Sequence, residues 1–172
     1  MIASIFRKIA GPLAALTLAG SLFASFAPRA GAAYFAPMSP PEYQFLAMVN
    51  ADRAANGLAT LAADTTLSGL AHQRSQGMVA SGAFSHYDAS GKLIFAGMLN
   101  SAGFSYALAG ENIAENNYPS LGQSLSVANT EFMNSPTHRA NILNSNFNEV
   151  GIGIAGPDGS GRFYITELFA QA

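Results

Sequence analysis

The sequence predicts an α+β fold. Three observations point there: three stretches in which a helix cap precedes apolar residues at helical spacing, a C-terminal pair of apolar strands around a Gly/Pro turn, and no internal repeat anywhere. The chain has 172 residues, 49% of them hydrophobic, with 17 Gly and 8 Pro, which is enough for one domain with its own core and too apolar for a disordered chain.

The N-terminus reads as a separate object. Arg7 and Lys8 precede an apolar run from Ile9 to Ala27, and Ala30-Gly31-Ala32 supplies the small-x-small site that a signal peptidase cuts. Residues 1–33 are expected to be a signal peptide, 34–40 a short linker and 41–172 the domain. An uncleaved N-terminal anchor is the alternative, because the apolar run is nearly long enough to span a bilayer.

The first helix opens at "SPPEYQFLAMV": Ser39 is the N-cap, prolines fill the first turn, Glu42 completes a capping box, and Phe45, Met48 and Val49 follow before Gly57. A second helix starts after Asp64, carries Leu67, Leu70, Ala71 and Met78 on one face, and stops at Gly82. "GKLIFAGMLNSAG" predicts a short helix leading into the strand "AGENIAEN". From Ser120, Leu121, Leu125, Ala128 and Phe132 mark a third long helix. Ser135 then caps a further turn, with Pro136 at the first helical position, where its missing N–H costs nothing. Val150, Ile152 and Ile154 alternate with Gly151 and Gly153, "GPDGSG" turns, and "RFYITELFA" returns. Helices with a small antiparallel sheet make an α+β sandwich.

Charge excludes some partners. Without Arg7, Lys8 and Arg29 of the leader, five basic residues face ten acidic, net −5, and no Lys/Arg cluster exists. Nucleic acid is therefore not an expected partner, nor is an anionic membrane surface, and no stable membrane insertion is expected after leader cleavage. The chain has no cysteine, which removes thiol nucleophiles and cysteine metal sites.

Three residues from three segments form the candidate site: His86 in "FSHYDASG", Glu111 in "AGENIAE" and His138 in "SPTHR". Near the positive end of a helix dipole His138 favours neutral imidazole, the form that accepts a proton or binds metal. Two histidines and a carboxylate match a metal site with an open position; the alternative is loop histidines satisfied by backbone hydrogen bonds. His72 lies off the apolar face of its helix and is expected in solvent, and Asn112 and Asn141 read as hydrogen-bonding struts. Ser135 as a nucleophile with His138 as base is a weaker reading than Ser135 as a cap.

The blocks "LAMVNADRAANGLATLAADTTLSGLAHQRSQGMVASGAFSHYD", "AGENIA", "FMNSPTHRANILNSNFNEVGIGIA" and "YITELFA" occur in that order and cover nearly everything from Glu42 to Ala170. In them the chain resembles the CAP superfamily (cysteine-rich secretory proteins, antigen 5 and pathogenesis-related proteins), the SCP domain, in a bacterial form without cysteines. The resemblance implies a three-layer α-β-α sandwich with a cleft where two histidines and acidic residues converge, and which holds a divalent metal in some members. The family's histidines fall on His86 and His138 and its "GEN" glutamate on Glu111. Its second glutamate falls on Ser135, which has no carboxylate; Glu131, four residues earlier on the same helical face, is about one turn away.

These readings imply a protein that is secreted, extracellular or periplasmic. Its expected function is a binding module for a small hydrophobic or cell-envelope ligand over a floor of His86, Glu111 and His138, with zinc or another divalent metal as the candidate cofactor. The alternatives are a metal-dependent, peptidase-like hydrolase with Glu111 as general base, and a non-enzymatic host-interaction protein. A non-enzymatic role is favoured over catalysis.

Overall fold

The computed structural model describes residues 37–172; the expected leader, residues 1–33, and residues 34–36 of the linker lie outside the described residues. Met38 is buried in the core and Pro40 begins the first helix, so the end of the linker packs with the domain.

Helix α1 spans Pro40–Ala55, and both the backbone N–H and the hydroxyl of Ser39 donate to Glu42 Oε2, at 2.6 and 2.9 Å. A two-residue strand β1, Ala62–Ala63, leads into α2, Thr65–Ser81, where Asp64 Oδ1 accepts from the Leu67 N–H and Gly82 closes the helix at φ 66°. Then come α3 (Ile94–Ser101), β2 (Leu108–Asn116), α4 (Leu121–Asn134), α5 (Pro136–Ile142), β3 (Glu149–Ala155) and β4 (Phe163–Gln171). The sheet order is β1-β3-β4-β2. Its three long strands are antiparallel as expected, but β1 pairs parallel with β3 and makes the sheet mixed. Ala62 and Ala63 are exposed and carry no apolar alternation; Ala62 N–H to Asn148 O (2.9 Å) and Asp64 N–H to Val150 O (3.0 Å) create this strand.

Alternation along β4 separates the two helical layers. Ile165 and Phe169 join Val150 and Ile152 of β3 against Phe45, Leu125, Phe132 and Ile142 from α1, α4 and α5. Leu168 and Ala170 face Leu67, Leu70, Phe95 and Leu99 from α2 and α3, while Tyr164 meets Met78. On that second face β3 presents Gly151 and Gly153, and α2 lies directly on them. A Cβ at Gly153 would stand 2.0 Å from the Ala71 carbonyl carbon, and one at Gly151 2.1 Å from that of Leu67. Ser75 Oγ donates to Gly153 O (2.9 Å) and lies 2.8 Å from Thr166 Oγ1, which locks the contact.

Arg53, 1% exposed, ties α1 to the chain around β3. It donates to Ala59 O (2.8 Å), Ile142 O (2.7 Å), Asn144 O (2.9 Å) and Phe147 O (3.4 Å), and burial lowers its pKa. Arg53→Met keeps the aliphatic bulk and removes every donor. The expected loss is about 2–3 kcal/mol, read as a lower urea midpoint with an unchanged slope. A midpoint equal to that of the wild type would mean that water replaces the guanidinium without cost.

Candidate functional site

Strand β2 is an edge strand, bonded only to β4. Its alternation sends Glu111 toward α2 and Asn112 toward α4 and α5. The site therefore straddles the sheet edge, with one half on each face.

On the α2 face Glu111 is buried with both oxygens engaged. Oε1 accepts from Arg74 Nε at 2.9 Å and Oε2 lies 2.7 Å from His86 Nδ1. Arg74 is 5% exposed and also donates to Ser85 O, which anchors the segment before His86. His86 O accepts from the Ile94 N–H (2.9 Å), and Tyr87 bridges to Leu93. The turn between them is held by Asp88 Oδ1, which accepts from Ser90 N–H, Ser90 Oγ and Lys92 N–H, at 2.8, 2.7 and 3.0 Å.

On the other face His138 is half-buried on α5, its ring edge-on to Phe132 with centroids 5.0 Å apart. Burial lowers its pKa, and the charge of His86 lowers it further. Neutral imidazole is thus favoured, with burial the largest cause and the second histidine next, and His138 holds the third position of α5. Asn112 Nδ2 donates to His138 O (3.1 Å), and Asn141 Nδ2 donates to Asn112 Oδ1 (2.8 Å) and to Glu111 O (3.2 Å), so both asparagines are struts.

Among the described residues the remaining candidates make no side-chain hydrogen bond to this group. Glu131 is exposed on α4. Ser135 joins α4 to α5 in the N-cap position, yet its hydroxyl lies 3.2 Å from Thr137 Oγ1 and makes no cap bond to the helix. His72 is only half in solvent: Nδ1 sits 3.1 Å from Oε1 of the buried Glu42, which also accepts from the Ile154 N–H at 3.1 Å.

Two site residues escaped the sequence reading, and each left a signal. Arg74 continues the spacing of Leu67, Leu70, Ala71 and Met78, so a cation stood on an apolar row. Glu167 falls in the alternating row Phe163, Ile165, Glu167, Phe169 and is fully buried.

The two histidines and Glu111 do not fit a three-ligand metal centre as they stand. Among the described residues no group of three or more His, Asp or Glu is placed to hold an ion, and the Glu111 carboxylate is committed to Arg74 and His86. Beside Arg74 a cleft of about 230 Å³ opens between α2 and α3, lined by Gly77, Ala83, Tyr87, Ile94 and Met98. Phe84, Tyr87 and Leu93 are exposed around the His86 loop.

The chain is similar to known proteins in both sequence and fold. The model of the cysteine-rich secretory protein family, CAP, matches residues 46–169. The Bacillus subtilis protein YkwD is 39% identical over 121 residues, which cover 69% of this chain and 44% of that protein. An extracellular SCP-domain protein from Bacillus anthracis superposes with TM-score 0.64 at 24% identity, over 80% of this chain and 45% of the other. An outer surface protein from Borrelia burgdorferi superposes with TM-score 0.64 at 16% identity, over 80% of this chain and 98% of the other. The chain thus spans less than half the length of both Bacillus proteins.

Proposed function

We propose a function from one premise: the chain belongs to the cysteine-rich secretory protein (CAP) family. It is a secreted binding module, and its ligand is small, with an apolar part for the cleft and a polar group for Arg74 and His86. One observation carries this reading. A buried Arg74–Glu111–His86 array adjoins an apolar cleft, and the exposed Phe84, Tyr87 and Leu93 extend that apolar surface outward. At about 230 Å³ the cleft is smaller than an ordinary ligand pocket, so it takes the end of an acyl chain or a single ring. The extracellular and outer-surface proteins of like fold support secretion.

Fatty acids, sterols and peptidoglycan fragments are the probes. One class is expected to bind with a sub-millimolar Kd, and Met98→Trp, which fills the cleft, is expected to weaken it about tenfold, the equivalent of ~1.4 kcal/mol. No binding by any class at millimolar concentration would overturn the proposal. Zinc separates it from the metal reading. With Glu111 committed to Arg74, zinc alone is expected to leave the melting temperature unchanged. A rise of about 5 °C or more, lost in both His86→Ala and His138→Ala and kept in His72→Ala, would restore a metal to the two imidazoles.

A further inference from the structure

Two buried acids stand outside the ligand-facing group, Glu42, which caps α1 and meets His72, and Glu167. Glu167 stands on β4 directly opposite Asn112 of β2 and is fully buried. Asn112 Nδ2 donates to Glu167 Oε2 at 2.7 Å and to His138 O at 3.1 Å. Asn112 Oδ1 accepts from Asn141 Nδ2 at 2.8 Å, and the same nitrogen donates to Glu111 O at 3.2 Å. A carboxamide keeps its donors on one atom and its acceptor on the other, so the groups opposite it choose its orientation. While Glu167 Oε2 serves as an acceptor, turning Asn112 over would set Oδ1 against two acceptor oxygens and leave Asn141 without its acceptor.

We propose that Glu167 is a positioning residue of the site: it sets the orientation of the Asn112 carboxamide, which fixes the backbone of His138 and, through Asn141, that of Glu111. The proposal deepens the binding reading and rests on it for the site's importance, while the hydrogen-bond chain itself needs no ligand. Burial is the main cause that pushes the Glu167 carboxyl up to about 8, against the lowering effect of the Asn112 bond, with Asp52 on α1 raising it further. Among the described residues no other charged group is a cause of this shift. Arg74 and Glu111 lie on the opposite face, Glu131 of α4 is exposed, and His138 of α5 offers its backbone carbonyl to the shared Asn112. The raised pKa favours the protonated acid at neutral pH, and Asn112 is hydrogen-bonded to the same carboxyl.

Nuclear magnetic resonance of the full chain without ligand tests the chain of contacts. In the wild type the Asn112 side-chain amide signals are expected to titrate with a midpoint near 8. In Glu167→Gln that titration disappears while the His138 midpoint stays in place, because the glutamine oxygen still accepts from Asn112. In Glu167→Leu the His138 midpoint moves toward the free value near ~6.5, by about half a unit or more. Leu168→Ala weakens the core on the opposite face and is expected to leave His138 unmoved. Asn112 signals indifferent to pH, a glutamine variant that shifts His138 as far as the leucine variant, or equal shifts from Glu167→Leu and Leu168→Ala would each overturn the proposal. If Glu167→Leu does not fold, the wild type against Glu167→Gln decides alone. A failed ligand screen would leave these readouts untouched, so the two ideas fall separately.

Discussion

Glu167→Gln is expected to come closest to the wild type in stability at about pH 4 and to exceed it by several kcal/mol at about pH 9. The wild-type carboxyl is pushed up to about 8 in the folded state, chiefly by burial, against about 4.3 in the unfolded chain. Between those values the folded protein keeps a proton that the unfolded chain has released. Stability therefore falls as pH rises across this window; the contribution is complete below ~4.3 and is gone above the folded value. A separation of roughly four units corresponds to about 5 kcal/mol, to order of magnitude. Glutamine fills the same volume, keeps an acceptor for Asn112 and cannot ionise, so this slope vanishes. Urea midpoints at about pH 4, 7 and 9 measure it. Parallel curves for the two proteins would show that the buried carboxyl does not titrate in this range.

The second large effect belongs to β3. Gly153→Ala is expected to cost about 4 kcal/mol or more, and the double variant with Gly151→Ala to abolish cooperative unfolding. The added methyl group of each would meet the α2 backbone, at 2.0 Å and 2.1 Å, and a helix backbone cannot rotate aside as a flexible side chain does. Overpacking ordinarily costs about 1–3 kcal/mol because neighbours adjust; here the whole of α2 must lift from the sheet, which breaks the Ser75 bond and opens the Leu67–Leu168 layer. Thermal unfolding of the single and double variants, with Gly122→Ala on α4 as the control that meets no atom within 4 Å, gives the comparison. A Gly153→Ala protein that melts within 2–4 °C of the wild type, about 1 kcal/mol for a chain of this size, would mean that α2 glides along β3 without loss.

Most of the architecture was legible because local chemistry and tertiary packing agree. Ser39, Asp64 and Ser120 each mark a helix start that the structure keeps, and the Val150-to-Ile154 alternation becomes a strand whose apolar face packs on α1 and α4. Strand β1 was not legible, since two exposed alanines acquire strand geometry only from hydrogen bonds to Asn148 and Val150. The identities of His86, Glu111 and His138 were readable from motif blocks, whereas their surroundings depend on distant elements. Arg74 meets Glu111 across 37 positions of chain and Asn112 meets Glu167 across 55, so no window of sequence contains both partners. Both hidden residues nevertheless broke an apolar row at the spacing of their own element. A charge on a buried stripe is a request for a partner.

The position of the site on β2 also bears on how the protein stays dispersed. An outermost strand offers free N–H and C=O groups on which a second copy can add a strand. Here α5 leans over the strand and Asn141 occupies the outward carbonyl of Glu111, while Glu115, paired at 3.6 Å with Arg162, and the Asn116–Asn117 pair follow where β2 runs out. The polar residues along this edge make it a poor template for strand addition. Trimming α5 would uncover the Glu111 carbonyl and leave that part of the edge open to a second copy.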